Sequence, residues 1–189
     1  MFILGFDVAR PCGRLLCALL VFVSPASVGL WELHSNYLQT LDRQSELAAT
    51  KAVGLMEAML HHAEGTNKSI SALINHPCHA SLLALRKEAT LAPFVRSASL
   101  INHYGIYCNS LLGDVHWEDD VGAYSGGFLR LLPGNQVRAN HPMLAVRSEV
   151  QDGAVLSTID SEYLKIMLAL SAPVSGEVQL HVGLSLIHI

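Results

Sequence analysis

Residues 15–30 read LLCALLVFVSPASVGL without a single charge, between Arg10 and Arg14 on one side and Trp31 and Glu32 on the other. Beyond that run the spacing of apolar positions becomes helical. Leu33, Tyr37, Leu41, Leu47, Leu55, Met56, Met59 and Leu60 recur mostly at helical spacing, with Asp42, Arg43, Glu46 and Lys51 between them. The pattern predicts a long amphipathic helix over residues 31–64, broken at Gly65-Thr66-Asn67 and restarted briefly over 69–75. Pro77 holds His76 out of helical geometry, and a short helix comes next over 79–89 with Leu82, Leu83 and Leu85. After Pro93 the period shortens. Strands are predicted over 94–101 and from Ile106, with Asn102-His103-Tyr104-Gly105 as the turn between them and Leu111-Leu112-Gly113 as the end of the second. Residues 114–127 read as a polar, glycine-rich loop. Further strands are predicted over 128–132, 143–150, 153–159 and 177–182. Between the last two, Asp160 caps a helix over 161–169 with Glu162 in its first turn.

Helices first, then a mostly antiparallel sheet with one inserted helix, make an α+β domain with helices on one face of the sheet. The layout is that of a PAS-like sheet preceded by a transmembrane helix that continues into a long helix. The expected organisation is a cytoplasmic tail (1–14), a transmembrane anchor (15–31), an exported domain (32–183) and a tail foreign to the domain (184–189). The ending Leu184-Ser185-Leu186-Ile187-His188-Ile189 is similar to translated adaptor sequence.

Sixteen residues are short for a span, which takes about 17–25, but Trp31 and the stem of Arg14 extend the run. The rival reading is a signal peptide cleaved near Ser24-Pro25-Ala26. Both readings export the chain beyond the apolar run, because positive charge before such a run keeps the N-terminus in the cytoplasm. Pro25 is tolerated in a span, and residues 1–13 carry no helical pattern.

The 189-residue chain is 51% hydrophobic and 15% charged, with a net charge of −4. No Lys/Arg cluster appears after Arg14, so the basic face that nucleic-acid binding requires is missing. Ten histidines give the domain a charge that mild acid can change. No cofactor motif is present.

Of four cysteines, Cys12 precedes the apolar run and Cys17 lies in it, which leaves Cys78 and Cys108 in the exported part. Exported thiols tend to pair. A bond closing their 30-residue separation is worth about 3.6 kcal/mol in the chain-entropy account. Metal binding is the alternative, with His76, Cys78 and His79 close together and His61, His62 and His103 as further donors, although no zinc-site spacing frames them. A hydrolase trio of Ser110, His103 and Asp114 lacks a G-x-S-x-G elbow. Glu118, Asp119 and Asp120 lack EF-hand spacing and read as a solvated acidic loop. Neither group makes the segment an enzyme, and no catalytic or metal-binding residue is assigned.

The stretch Gly105-Ile106-Tyr107-Cys108-Asn109-Ser110-Leu111-Leu112-Gly113 resembles the core of the CSS-motif sensor domain. Tyr107, Cys108, Asn109 and Ser110 stand at the motif, with Asn109 where the motif has serine. Pro77-Cys78 matches the family's upstream cysteine, and residues 153–168 match its late strand and helix. The resemblance implies a periplasmic domain of the bacterial inner membrane. It implies control of a cytoplasmic EAL-type domain that hydrolyses cyclic di-GMP and that would lie beyond a second span. The expected partners are the inner membrane, a second copy joined through the membrane-proximal helix, and the periplasmic thiol-oxidising machinery. The disulfide is then either a redox switch or a structural staple. The competing reading is a secreted or anchored periplasmic ligand-binding protein with a purely structural disulfide.

The Arg10/Arg14 flank has a direct consequence for topology. A reporter active only in the periplasm and fused after Val182 is expected to be active. A silent fusion, with a cytoplasmic reporter working at the same point, reverses the orientation.

Overall fold

The computed structural model describes residues 11–134, 141–173, 176, 178–183 and 185–187, with side chains from Cys17 to Gly183. The chain divides into two units, Met1–Glu46 and Leu47–Ile189. The first helix, α1 (Pro11–Ile70), contributes to both. It begins three residues inside the stretch expected to lack helical pattern. Proline suits a first helical turn, where its missing N–H has no partner to lose. The rest of that stretch, residues 1–10, lies outside the described residues. In the first unit, Val21, Phe22, Leu30 and Trp31 are exposed. By length and composition α1 holds a candidate membrane span near the N-terminus, none of it buried.

The second unit is built on a six-stranded antiparallel sheet in the order β3-β2-β1-β6-β5-β4. Its strands are β1 (Val95–Asn102), β2 (Gly105–Asn109), β3 (Gly113–Trp117), β4 (Leu129–Leu132), β5 (Met143–Val150) and β6 (Gly153–Asp160). Helices α2 (Cys78–Leu91) and α3 (Ser161–Ser171) complete the domain, with a small separate pair β7 (Leu180–Val182) and β8 (Ser185–Ile187). Alternation along each strand creates two faces. On one, Leu144, Val146 and Ile159 pack against Ala52, Met59 and Ala63 of α1 and Leu164, Met167 and Leu168 of α3. Ala98, Leu100 and Val155 on the same face pack against Ile70 and against Leu85 and Ala89 of α2. The other face carries Ile101, Ile106, Ala145, Ala154 and Leu156, partly under Tyr124 from the β3–β4 connection. The fold class is therefore α+β, with the helices on one face.

Four expectations change. The face of α1 that meets the sheet keeps Met56, Met59 and Leu60 of the expected stripe but not its leucines at 47 and 55, which are exposed; the other buried positions are Ala48, Ala52, Ala63, Thr66, Asn67 and Ile70. Alanine keeps helix propensity high, and its small side chain lets the helix approach the strands closely.

The helix also does not break at Gly65-Thr66-Asn67. Asn67 is 1% exposed and donates from Nδ2 to the Val146 carbonyl at 2.9 Å and to Ser148 Oγ at 2.9 Å. Its Oδ1 accepts from Ser157 Oγ at 2.7 Å. Thr66 Oγ1 donates back to the His62 carbonyl. Tertiary hydrogen bonds thus hold in a helix residues whose local preference is for turns. The same burial closes the Asn67-Lys68-Ser69 sequon to any glycan.

The third change is at residues 113–117, expected as the end of one strand and the start of a loop. They form β3, where exposed Asp114 and His116 alternate with half-buried Val115 and Trp117. That is the signature of an edge strand with one wet face. The last expected strand is shorter than 177–182 and spans Leu180–Val182.

Replacing Asn67 by Ala is expected to lower unfolding stability by roughly 1–3 kcal/mol, because Val146, Ser148 and Ser157 lose a buried partner. Urea unfolding of the oxidised protein measures it. A loss below about 0.5 kcal/mol, the range of ordinary surface substitutions, contradicts the role given to this side chain.

Candidate functional site

Gly105 opens β2 in a left-handed conformation at φ 118°, where any β-carbon would collide with the Trp117 carbonyl. Asn102 Oδ1 accepts from the Tyr104 N–H at 2.9 Å and shapes the two-residue turn before it. The register with β1 then shifts. Ile106 stands opposite Ile101 and Cys108 opposite Leu100, so Tyr107 has no partner on β1. A bulge of this kind turns two successive side chains toward one side. The Tyr107 hydroxyl accepts from the Asn75 N–H at 3.1 Å and donates to the Leu73 carbonyl at 3.5 Å. Asn75 needs that anchor, because it sits at φ 66°. Burial pushes the Tyr107 phenol above its ordinary value, and the Asn75 N–H only partly offsets this. The hydroxyl therefore stays protonated and can act as both acceptor and donor.

Cys108 is fully buried and bonded to Cys78, the first residue of α2, across a Cα–Cα distance of 5.2 Å. Both cysteines lie in the cluster that includes Ile70, the last residue of α1. Cys78 in a disulfide has no thiolate to offer a metal beside His76 and His79. Cys17 is a free, exposed thiol, and the side chain of Cys12 lies outside the described residues.

Asn109 closes the β2–β3 turn. Its Oδ1 accepts from the Leu111 and Leu112 N–H groups at 2.9 and 3.2 Å, and its Nδ2 donates to Ser99 Oγ at 2.9 Å. A serine could accept in the same turn but is too short to make both contacts. Ser110 then rejoins β1: its N–H donates to the Ala98 carbonyl at 2.8 Å, and its Oγ accepts from the Ala98 N–H at 3.0 Å. The Ser110 carbonyl accepts from Arg86 Nε of α2 at 2.9 Å. Three of the four residues thus hold one object, α2 and the segment leading into it.

A family model described as the CSS motif domain associated with EAL matches residues 41–187. The chain belongs to the CSS-motif domain family. No curated protein matches it, and no solved structure does.

Within this CSS-motif domain the other groups singled out in the sequence do not converge. Ser110 and His103 lie toward opposite ends of the β1–β2 hairpin, with Ser110 buried and bonded to Ala98. Exposed Asp114 faces His116 at 3.9 Å. The acidic loop differs from expectation in one residue. Asp119 is buried, paired with Arg147 at 2.9 Å, and accepts from the Tyr124 hydroxyl at 2.9 Å. Asp120 caps the turn at Gly122. Burial disfavours the Arg147 charge, yet bonds to Asp119 and Glu149 more than offset it, and its pKa rises. Burial and the Asp119 carboxylate push the Tyr124 phenol far above its usual value. The network fastens the β3–β4 connection to the helix-free face. Its sequence signal was the alternation Met143, Ala145, Arg147, which places the arginine on that face.

Asn109→Ser is expected to cost about 1 kcal/mol, one hydrogen bond, and Asn109→Ala about 1–3 kcal/mol, since two turn N–H groups lose their acceptor. Urea unfolding of both variants with the disulfide intact gives the order. Equal losses would mean that Oδ1 does not hold the turn.

Proposed function

We propose that this CSS-motif domain is the periplasmic sensory part of a bacterial inner-membrane protein. Its Cys78–Cys108 bond is set by the periplasmic redox machinery and controls a cytoplasmic EAL-type domain that hydrolyses cyclic di-GMP. The supporting observation is where the bond sits. It joins the start of α2 to the motif strand inside the cluster that also buries Ile70 at the end of α1. The candidate span lies in the N-terminal part of that same helix. Reduction adds two electrons and two protons from a periplasmic dithiol, which itself becomes a disulfide, and leaves two cysteine thiols. Both cysteines are buried, so attack by the dithiol's thiolate on one sulfur, with the other cysteine leaving as its thiolate, requires a local opening of the segment before α2. Freed of the bond, α2 loosens its hold on Ile70 and changes the pose of α1. The same reading joins two copies through α1, whose Leu33 and Tyr37 are exposed. The domain itself carries no catalysis.

In the full-length protein, Cys78→Ala, Cys108→Ala and the double variant are expected to change cyclic di-GMP turnover per folded molecule in the same direction and to a similar extent. Cellular cyclic di-GMP, normalised to protein abundance, reads it. Turnover at the parent level in all three variants makes the bond a structural staple.

A further inference from the structure

The helix-free face holds a cavity of about 530 Å³, within the roughly 300–1,000 Å³ of small-molecule sites. Its apolar lining includes Ile106, Trp117, Leu132 and Leu156. Its polar floor is already satisfied: Ser97 Oγ meets Thr158 Oγ1 at 2.7 Å, and Asn109 Nδ2 donates to Ser99 Oγ at 2.9 Å. The exception is Arg130. Its guanidinium lies 5.7 Å from the centre of the Tyr124 ring, and among the described residues it forms no ion pair.

The other cavities differ in this respect. In the 670 Å³ cavity beside α2, Arg96 is paired with Asp160 at 2.7 Å and Arg86 donates to the Ser110 carbonyl. In the 490 Å³ cavity near the hairpin turn, Arg147 is held by Asp119. Only beside Arg130 do these cavities combine apolar walls with a cation that has neither an ion pair nor a hydrogen bond among the described residues, since Arg86 is held by the Ser110 carbonyl.

We infer that this cavity binds a small organic monocarboxylate with an apolar body, of arylalkyl or medium-chain type, through Arg130. A guanidinium takes a carboxylate by charge-assisted, often bidentate hydrogen bonds. Trp117 and the aliphatic walls cover the rest of the molecule. Exposed Glu118, which also lines the cavity, disfavours a second negative charge. The occupant touches Asn109, the residue after Cys108, so binding contacts the motif strand on the side opposite the disulfide. Binding here does not depend on whether the disulfide is a switch.

The test uses the full chain in lipid nanodiscs with Trp31→Phe, which leaves Trp117 as the reporter, since the chain has two tryptophans. The probes are 4-phenylbutyrate and the uncharged 4-phenylbutyramide. The acid is expected to shift Trp117 emission saturably with half-saturation below about 1 mM, and the amide to bind at least about tenfold more weakly. Arg130→Gln is expected to abolish the preference for the acid, and Arg130→Lys to retain it. A cooperative urea unfolding transition with the parent's midpoint certifies that each variant is folded. No saturable response to the acid up to about 10 mM overturns the proposal. So does equal binding of acid and amide, or an acid preference that survives in Arg130→Gln.

Discussion

The β-bulge at Tyr107 is the constraint on which the rest of the motif depends. In an unbroken strand, neighbouring side chains point to opposite faces, so Tyr107 and Cys108 could not both serve the helices. The shift between Leu100 and Ile101 leaves Tyr107 without a partner on β1 and turns it toward Leu73 and Asn75. Cys108 beside it stays in the helix-face cluster with Cys78. Alternation then resumes, and Asn109 falls on the helix-free side with Ser99. Three consecutive residues of one strand, Tyr107, Cys108 and Asn109, therefore anchor the segment before α2, form a covalent bond, close a turn and line a cavity. A one-residue slip in this register would separate the sulfurs and expose the asparagine.

Much of this was legible in the sequence. Gly105 and Asn102 announce the hairpin, and the structure places the turn there. Asp160 announces α3, and its carboxylate accepts from the Glu162 N–H as expected of a cap. The strands expected over 143–150 and 153–159 are present as β5 and β6, the second one residue longer. What escaped is governed by partners distant in sequence. Asn67 reads as a breaker until Val146, Ser148 and Ser157, all about 80–90 positions away, are brought beside it. Asp119 reads as solvated until Arg147 reaches it across the sheet. The choice of alanines over leucines on α1 reflects how close the helix must lie, a distance set by the sheet and not by the helix. The pairing of Cys78 with Cys108 was legible from the cysteine count and the expected export of the chain, whereas the bulge that orients Cys108 has no signature in residue type.

The two faces of the sheet are held by different physics, and this bears on what can move. On the helix-free side a buried ion pair, Asp119 with Arg147, fixes the β3–β4 connection. Removing Arg147 would strand the buried Asp119 carboxylate at a cost of about 3–5 kcal/mol, whereas removing Asp119 would leave Arg147 with Glu149. On the helix side the hold on α2 is graded. The disulfide contributes about 3.6 kcal/mol through chain entropy. Burial of Leu85 contributes about 1.5–3 kcal/mol, and the Arg86–Ser110 and Tyr107 hydrogen bonds add about 1 kcal/mol each. With the bond opened, those remaining contacts are comparable to what was lost. A domain of this size typically has about 5–15 kcal/mol of stability. Losing about 3.6 kcal/mol, which in the chain-entropy account is a constraint on the unfolded chain, leaves stability enough for the domain to stay folded over most of that range. The covalent restraint on α2 and the ionic restraint on the β3–β4 connection therefore act on opposite faces of one sheet.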